Sequence, residues 1–106
     1  MPQIRTAVEG DIGGIVAVVN AAFQVESEFR SGARTSLAEI SDLMQSSTFL
    51  VATQDENVVG AVLVRITGAT GYFGMLSVLP GLQRSGIGRA LLEAAEDYCR
   101  RHGCVL

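Results

Sequence analysis

Residues 83–103 read "QRSGIGRALLEAAEDYCRRHG", a turn of small residues that leads directly into a helix. Gly86 and Gly88 stand where the helix should begin, although a glycine costs roughly 1 kcal/mol of helix propensity. The first N–H groups of a helix have no partner within it, and together with the helix dipole they attract anions. Because glycine lacks Cβ, a phosphate can approach such a backbone closely. On the two glycines alone, an ordinary strand–helix turn with glycines for tight packing is the simpler interpretation.

Two common phosphate-binding motifs do not fit this turn. A nucleotide P-loop needs a lysine after its last glycine, and the chain contains no lysine. A dinucleotide-binding turn needs a third glycine, but Leu91 occupies that position, and the turn follows the fourth predicted strand instead of the first. A pyrophosphate site on a different α/β scaffold therefore remains beside the packing interpretation.

The composition predicts one domain over residues 1–106. Hydrophobic residues make up 48% of the chain, which excludes a disordered protein, and the net charge of −3 without a basic block argues against nucleic-acid binding. No apolar stretch reaches membrane-span length and the N-terminus lacks a signal-peptide pattern, so we predict no membrane association and a cytoplasmic location. Cys99, His102 and Cys104 lie close together, but zinc would need a fourth ligand, and we predict no metal site.

Hydrophobic periodicity and turn residues predict the element order β-α-α-β-β-β-α-(β). Asp11 is expected to cap the first helix, and Thr35 or Ser36 the second, whose apolar face would include Leu37. Asp97 is expected to pair with Arg101 on the exposed side of the third helix. The predicted elements are strand 3–8, helix 11–24, helix 37–44, strands 47–54, 58–66 and 72–79, helix 87–102, and the beginning of a strand at 104–106.

Residues 75–103 resemble the acyl-CoA signature of the GNAT superfamily of N-acyltransferases. The family pattern is Arg/Gln-x-x-Gly-x-Gly/Ala, and residues 83–88, "QRSGIG", match it at every fixed position. The preceding strand ends in "VLP" at 78–80, as it commonly does in the family. The element order also matches the first two-thirds of the family fold. The resemblance therefore implies an α/β (α+β) GNAT-like fold, C-terminally incomplete, without the family's last strands and helix.

By this resemblance, the cosubstrate is acetyl-CoA and its acceptor is an amine. Backbone N–H groups of the motif would hold the CoA pyrophosphate, with a charge-assisted contact from Arg84. Leu76, Ser77 and Val78 match the strand that pairs with the pantetheine arm, and the Val78 N–H matches the donor that polarises the thioester carbonyl. The motif residues implied to bind the cosubstrate are Gln83, Arg84, Ser85, Gly86, Ile87, Gly88 and Arg89.

The chain departs from the family at the groups that move protons. Some members carry a glutamate base at the start of the fourth strand, where this chain has Tyr72, which either orients a water or only packs. Phe29 and Arg30 fall in the loop that borders the family's acceptor site, although a solvated polar loop is the simpler interpretation. The family's usual acid is a tyrosine on a later helix, which no residue here matches; Tyr98 lies on the apolar stripe of the third helix.

Two functions follow as alternatives. One is an N-acetyltransferase that uses direct attack of a primary amine on acetyl-CoA; the other is a catalytically incomplete acyl-CoA-binding or oligomerising remnant of that fold. We further predict a mixed, mostly antiparallel sheet in the order 1-2-3-4, with the first two helices on one face and the third on the other. The apolar fourth strand would form an edge, so a homodimer through that edge is also predicted.

Overall fold

The computed structural model of the chain describes residues 2–26 and 35–104. Its elements follow the predicted order, with boundaries that move by a few residues and two short 3₁₀ turns, at Glu9–Asp11 and Pro80–Leu82. The strands and helices are β1 (Gln3–Thr6), α1 (Ile12–Glu26), α2 (Leu37–Ser46), β2 (Thr48–Gln54), β3 (Asn57–Thr67), β4 (Thr70–Val78) and α3 (Ile87–Arg101).

The four strands form one sheet in the order β1-β2-β3-β4, which confirms the predicted order. All three strand pairs are antiparallel. A two-residue turn at Asp55 and Glu56 joins β2 to β3, and both residues have positive φ, at 52° and 68°, as a tight hairpin turn requires. A second turn with Gly68 at φ 61° joins β3 to β4, so that β4 lies at an edge of this sheet.

Alternating side chains of the central strands divide the core between the two faces of the sheet. On one face, Phe49, Val51, Ala61 and Leu63 pack with Ile15 and Val19 of α1 and Ile40 of α2. On the other face, the neighbouring residues of β2 and β3 pack with the third helix: Leu50, Ala52, Val59, Val62 and Val64 with Ile87, Leu91, Ala95 and Cys99. The predicted placement of the helices, two on one face and one on the other, is confirmed.

Two glycines allow the helices to approach the sheet closely. A Cβ on Gly60 of β3 would lie 2.9 Å from Leu91 Cδ1 and 3.2 Å from the Ser77 carbonyl oxygen, because α3 crosses directly over it. A Cβ on Gly14 of α1 would lie 2.9 Å from Cβ of Val58 on the opposite face of the sheet. A side chain at either glycine would therefore force the helix or its contacting side chain to move.

The N-termini of α1 and α2 correct two expectations. Ser36 caps α2 by accepting a 3.2 Å hydrogen bond from the Glu39 N–H, but Leu37 is 60% exposed and does not join the core. Asp11 does not cap α1; its carboxylate instead accepts from the Val8 N–H at 2.8 Å and from the Arg5 guanidinium.

On α3, Asp97 pairs with Arg100, and Arg101 Nε donates to the Asp97 carbonyl instead of its carboxylate. The expected Asp97–Arg101 ion pair is therefore wrong. The helix ends at Arg101, one residue before the predicted end: Gly103 has φ 75°, its N–H donates to the Arg100 carbonyl, and the Cys104 N–H donates to the Cys99 carbonyl at 2.9 Å. These two bonds make a Schellman motif, which satisfies the last carbonyls of the helix.

Candidate functional site: the junction of β4 and α3

The turn between β4 and α3 leaves the first amides of α3 without a cap. Arg84 and Gly86 both have positive φ, at 67° and 91°, and Gly86 is the N-cap residue, with no side-chain hydrogen bond to the helix. The first bond of the helix runs from the Ala90 N–H to the Gly86 carbonyl at 3.0 Å. The N–H groups of residues 87–89 therefore come before the helical ladder and point along the helix axis into the turn. Such a terminus attracts an anion.

The side chains of the motif divide into exposed and anchoring ones. Gln83, Arg84, Ser85 and Arg89 are exposed, whereas Ile87 is only 6% exposed and packs into the core between α3 and the sheet. The Ser85 hydroxyl donates to the Leu82 carbonyl and closes the turn.

Gly88 leaves the backbone at the start of α3 accessible beside the end of β4. A Cβ there would lie 3.8 Å from the nearest heavy atom outside the local chain, Cγ2 of Val78, so its surroundings are not crowded. Ile87 therefore anchors the helix start, while the glycines keep its backbone accessible.

The backbone of Val78 points its hydrogen-bonding groups away from β3. The Leu79 N–H donates to the Val59 carbonyl at 2.9 Å, so Val59 and Leu79 form a hydrogen-bonded pair. In an antiparallel ladder such pairs alternate with pairs whose polar groups point outward, and Gly60–Val78 is the next pair along. The Val78 N–H therefore faces the outer edge of β4. The Val78 carbonyl does too, and the Gln83 side-chain amide reaches it at 3.4 Å.

A β-bulge in β4 creates this orientation. Ala61 pairs with Ser77 and Leu63 pairs with Gly74, so one residue of β3, Val62, lies opposite two residues of β4, at 75–76. Beyond the extra residue, the β4 residues whose N–H and carbonyl groups point towards β3 change places with those whose groups point outward. Without it, the Val78 N–H would point towards β3 and pair in the ladder. Sequence reasoning missed the bulge, since no glycine stands at position 75 to signal it.

Tyr72 lies before the bulge, opposite Arg65 on the face that α1 and α2 cover. Its side chain is 57% exposed, and its ring covers Gly74, where a Cβ would lie 3.0 Å from the tyrosine hydroxyl oxygen. The ring thus packs on its own strand, although much of the side chain remains exposed. Phe29 and Arg30, the predicted acceptor-binding residues, lie outside the described residues, as do Val105 and Leu106 of the predicted last strand.

Tyr98 and His102 of α3 contact groups away from the turn at residues 83–88. The Tyr98 hydroxyl lies 3.1 Å from the Thr48 hydroxyl on the side of the helix that faces the sheet, and the His102 ring stacks on the Tyr98 ring with centroids 4.1 Å apart. Cys99 is fully buried, and burial raises the pKa of its thiol. Over residues 2–26 and 35–104, no group of three or more histidine, cysteine or acidic side chains is arranged to hold a metal ion.

The comparison with known families agrees with this geometry. The model described as the Acetyltransferase (GNAT) family matches residues 16–106, which is most of the chain. This chain belongs to the GNAT acetyltransferase family. The GNAT-like fold, predicted from the motif at 83–88 together with the preceding strand, the helix and the element order, is thereby confirmed.

Solved GNAT structures superimpose on nearly the whole chain. One is the PaiA N-acetyltransferase of Thermoplasma acidophilum, in complex with coenzyme A, with a TM-score of 0.86 and 17% sequence identity. The aligned region covers 97% of this chain and 74% of the PaiA chain. The ribosomal-protein-S18-alanine N-acetyltransferase of Escherichia coli has a TM-score of 0.80 at 19% identity, with 97% of this chain and 62% of its own covered.

A GNAT family acetyltransferase of Brucella melitensis, in complex with acetyl-CoA, has a TM-score of 0.81 at 24% identity and covers 98% of this chain and 71% of its own. The chain thus spans about two-thirds to three-quarters of these three relatives. Coenzyme A and acetyl-CoA in two of them agree with the predicted cosubstrate. No curated protein sequence matches the chain. None of the helices within the described ranges is long and apolar enough to cross a membrane.

Proposed function

We propose that this chain is an acetyl-CoA-dependent N-acetyltransferase, acting as one GNAT-like domain over residues 1–106. One observation carries the proposal: the outward Val78 N–H and the uncapped amides of α3 are the two ends of a single short connection. A ligand that extends from a thioester to a pyrophosphate needs a donor at each of these positions. Membership of the GNAT family and the CoA-bound neighbours support the same ligand.

The pyrophosphate would bind at residues 83–89. The amides of residues 87–89 supply N–H donors, the left-handed backbone at Arg84 and Gly86 bends the turn around the anion, and the Arg84 guanidinium is exposed and free to add a charge-assisted contact. The absence of side chains at Gly86 and Gly88 leaves the backbone accessible to phosphate oxygens.

The pantetheine arm would lie along the outer edge of β4 at Leu76, Ser77 and Val78. Leu76 is 43% exposed there, which suits contact with the arm. The Val78 N–H would donate to the thioester carbonyl oxygen and stabilise the negative charge that develops on it during attack. Removal of a comparable donor in other enzymes costs about 100-fold to 1000-fold in rate.

In the proposed reaction the neutral amine nitrogen attacks the thioester carbon. The C–N bond forms, the C–S bond breaks, and the electron pair of that bond leaves on the CoA sulfur. The ammonium form of the acceptor must first lose a proton. The Tyr72 hydroxyl would orient the water that takes it, and the leaving thiolate takes up the second proton that the attacking nitrogen gives up. The products are an N-acetyl amide, CoA thiol and one net proton.

The acceptor is proposed only as a primary amine. Phe29 and Arg30 remain predicted acceptor-binding residues, and a homodimer through the β4 edge remains a prediction. The alternative function is acyl-CoA binding without catalysis.

Release of CoA thiol from acetyl-CoA in the presence of a panel of primary amines tests the activity, with CoA binding measured in parallel by calorimetry. Turnover with any amine supports the transferase. Binding without turnover on a broad panel would favour the alternative, and the absence of both would overturn the assignment of acetyl-CoA to this chain.

A substitution at Gly86 tests the site itself. Gly86→Glu puts a side chain at a position with φ 91° and a negative charge beside the proposed pyrophosphate. We expect the affinity for CoA to fall by about 100-fold or more, from steric strain and charge repulsion. Gly81→Glu is the matched control, because it adds the same charge in the preceding turn, where a Cβ meets nothing within 4 Å. Equal affinities in both variants would contradict the proposed pyrophosphate site.

A further inference from the structure

The bulge in β4 contains a strained residue. Met75 has φ 52°, in the left-handed region that costs a residue with a side chain roughly 1–2 kcal/mol. Among the described residues, three other non-glycine residues have positive φ, and all three, Asp55, Glu56 and Arg84, lie in turns, whereas Met75 lies inside a strand. Bulges with a left-handed first residue usually have glycine there. Surrounding contacts must therefore hold Met75 in place.

Two contacts hold the bulge. The Met75 side chain packs against the core cluster on the α1/α2 face of the sheet. The Ser77 hydroxyl donates to the Met75 carbonyl at 3.1 Å, and Ser77 is only 7% exposed. The bond links the bulged residue to the residue directly before Val78. An alanine at position 77 would leave this carbonyl without that partner in a partly buried setting.

We propose that the Ser77 hydroxyl is a positioning group: it locks the bulge and thereby keeps the Val78 N–H pointed at the outer edge of β4. This inference rests on the proposed function for its kinetic test, because the Val78 N–H matters to the rate only if a thioester binds there. It assigns a role to the Ser77 side chain that is separate from backbone contact with the cosubstrate.

Ser77→Ala tests this role. We expect kcat to fall about tenfold, less than the 100-fold to 1000-fold seen when a donor is removed outright, because the Val78 N–H is displaced but still present. KM for acetyl-CoA should change by a smaller factor than kcat, since the pyrophosphate site at residues 83–89 does not involve the bulge and only the part of the cosubstrate beside residues 76–78 is affected. Ser46→Ala is the matched control: Ser46 is exposed at the end of α2, and its substitution should leave both constants unchanged.

A double substitution separates positioning from general stability. Glycine accepts φ 52° without strain, so in Met75→Gly the bulge should depend much less on Ser77, although this variant also loses the core contact of the Met75 side chain. In the Met75→Gly background, the further loss of kcat on Ser77→Ala should shrink to less than about threefold. Unchanged kcat in Ser77→Ala, or an equal loss in both backgrounds, would overturn the proposal.

An independent readout needs no catalysis. Amide hydrogen exchange and backbone NMR shifts at residues 75–78 should change in Ser77→Ala, and should change much less when Met75→Gly is also present. If the wild-type chain fails to turn over acetyl-CoA but these shifts follow the expected pattern, the proposed function is contradicted, whereas the role of Ser77 in holding the bulge is supported. Unperturbed shifts in Ser77→Ala would show that the Ser77 hydroxyl does not hold the bulge, whatever the activity.

Discussion

At the scale of single residues, backbone conformations differ in how well they can be anticipated. Asp55 and Glu56 adopt positive φ in a polar turn that the sequence marks clearly between two apolar strands. Arg84 and Met75 adopt positive φ with no comparable signal, although each shapes the candidate site. Non-glycine residues reach this region only when their surroundings force them to, so tertiary contacts decide where it occurs.

Asp11 is the residue with the clearest electrostatic role. Its carboxylate accepts two hydrogen bonds from the Arg5 guanidinium, at 2.7 and 2.9 Å, and these lower its pKa; burial opposes them, and the Val8 N–H adds to the lowering. A lowered folded-state pKa means that the ionised form stabilises the fold at pH values above the unfolded pKa of about 3.9. That stabilisation is lost as the pH falls through the folded-state pKa.

We therefore expect Asp11→Asn to lower the free energy of unfolding by about 1–2 kcal/mol near neutral pH, since Arg5 is partly exposed and the ion pair is partly screened. Urea unfolding across a pH series would measure this. The difference from wild type should narrow below about pH 4. Asp42→Asn, on the exposed side of α2, is the control, and a difference that stays constant down to acid pH would contradict the assigned role.

At the scale of elements, adjacent glycines in the first turn of α1 have opposite roles. A Cβ on Gly13 would meet nothing within 4 Å, whereas a Cβ on Gly14 would lie 2.9 Å from both Cβ and Cγ2 of Val58. Helix propensity alone does not distinguish the two glycines, since each weakens a helix by a similar amount. The packed structure distinguishes them, because only Gly14 faces the sheet.

Gly13→Ala should raise the free energy of unfolding by about 0.5 kcal/mol, through better helix propensity and a less flexible unfolded chain. Gly14→Ala should lower it by about 1–3 kcal/mol, since the new methyl group overpacks against a β-branched side chain. Chemical denaturation of the two variants measures both effects. Stabilisation by both substitutions would show that α1 can move away from β3 at little cost.

At the scale of the whole molecule, β4 is one of the two edge strands of the sheet that the described residues form. Within residues 2–26 and 35–104, β4 pairs with β3 alone, and its outward groups include the Val78 N–H and carbonyl. The exposed Leu76 and Tyr72 side chains lie on the same strand. Edges of this kind invite pairing with another chain.

A polypeptide of these 106 residues is expected to self-associate through this edge. Leu76→Lys should reduce the association, because a charged side chain on an edge strand opposes strand addition. Leu37→Lys is the control, since it changes another exposed leucine, on α2 and away from the edge. Sedimentation velocity over a concentration series measures the effect, and a concentration-independent monomer would contradict it.

The order of elements, the amphipathic faces of the helices and the motif at residues 83–88 were all readable from the sequence. These features depend on local periodicity and on residue types such as glycine and proline, whose effects are largely short-range. The bulge at residues 75–76, the close approach of α3 to Gly60 and the different roles of Gly13 and Gly14 were decided by tertiary structure alone. Each arises where one element packs on another, and such contacts join residues far apart in the chain. The motif thus indicated where a pyrophosphate would bind, whereas the outward direction of the Val78 N–H came only from the register between β3 and β4, which the bulge shifts by one residue.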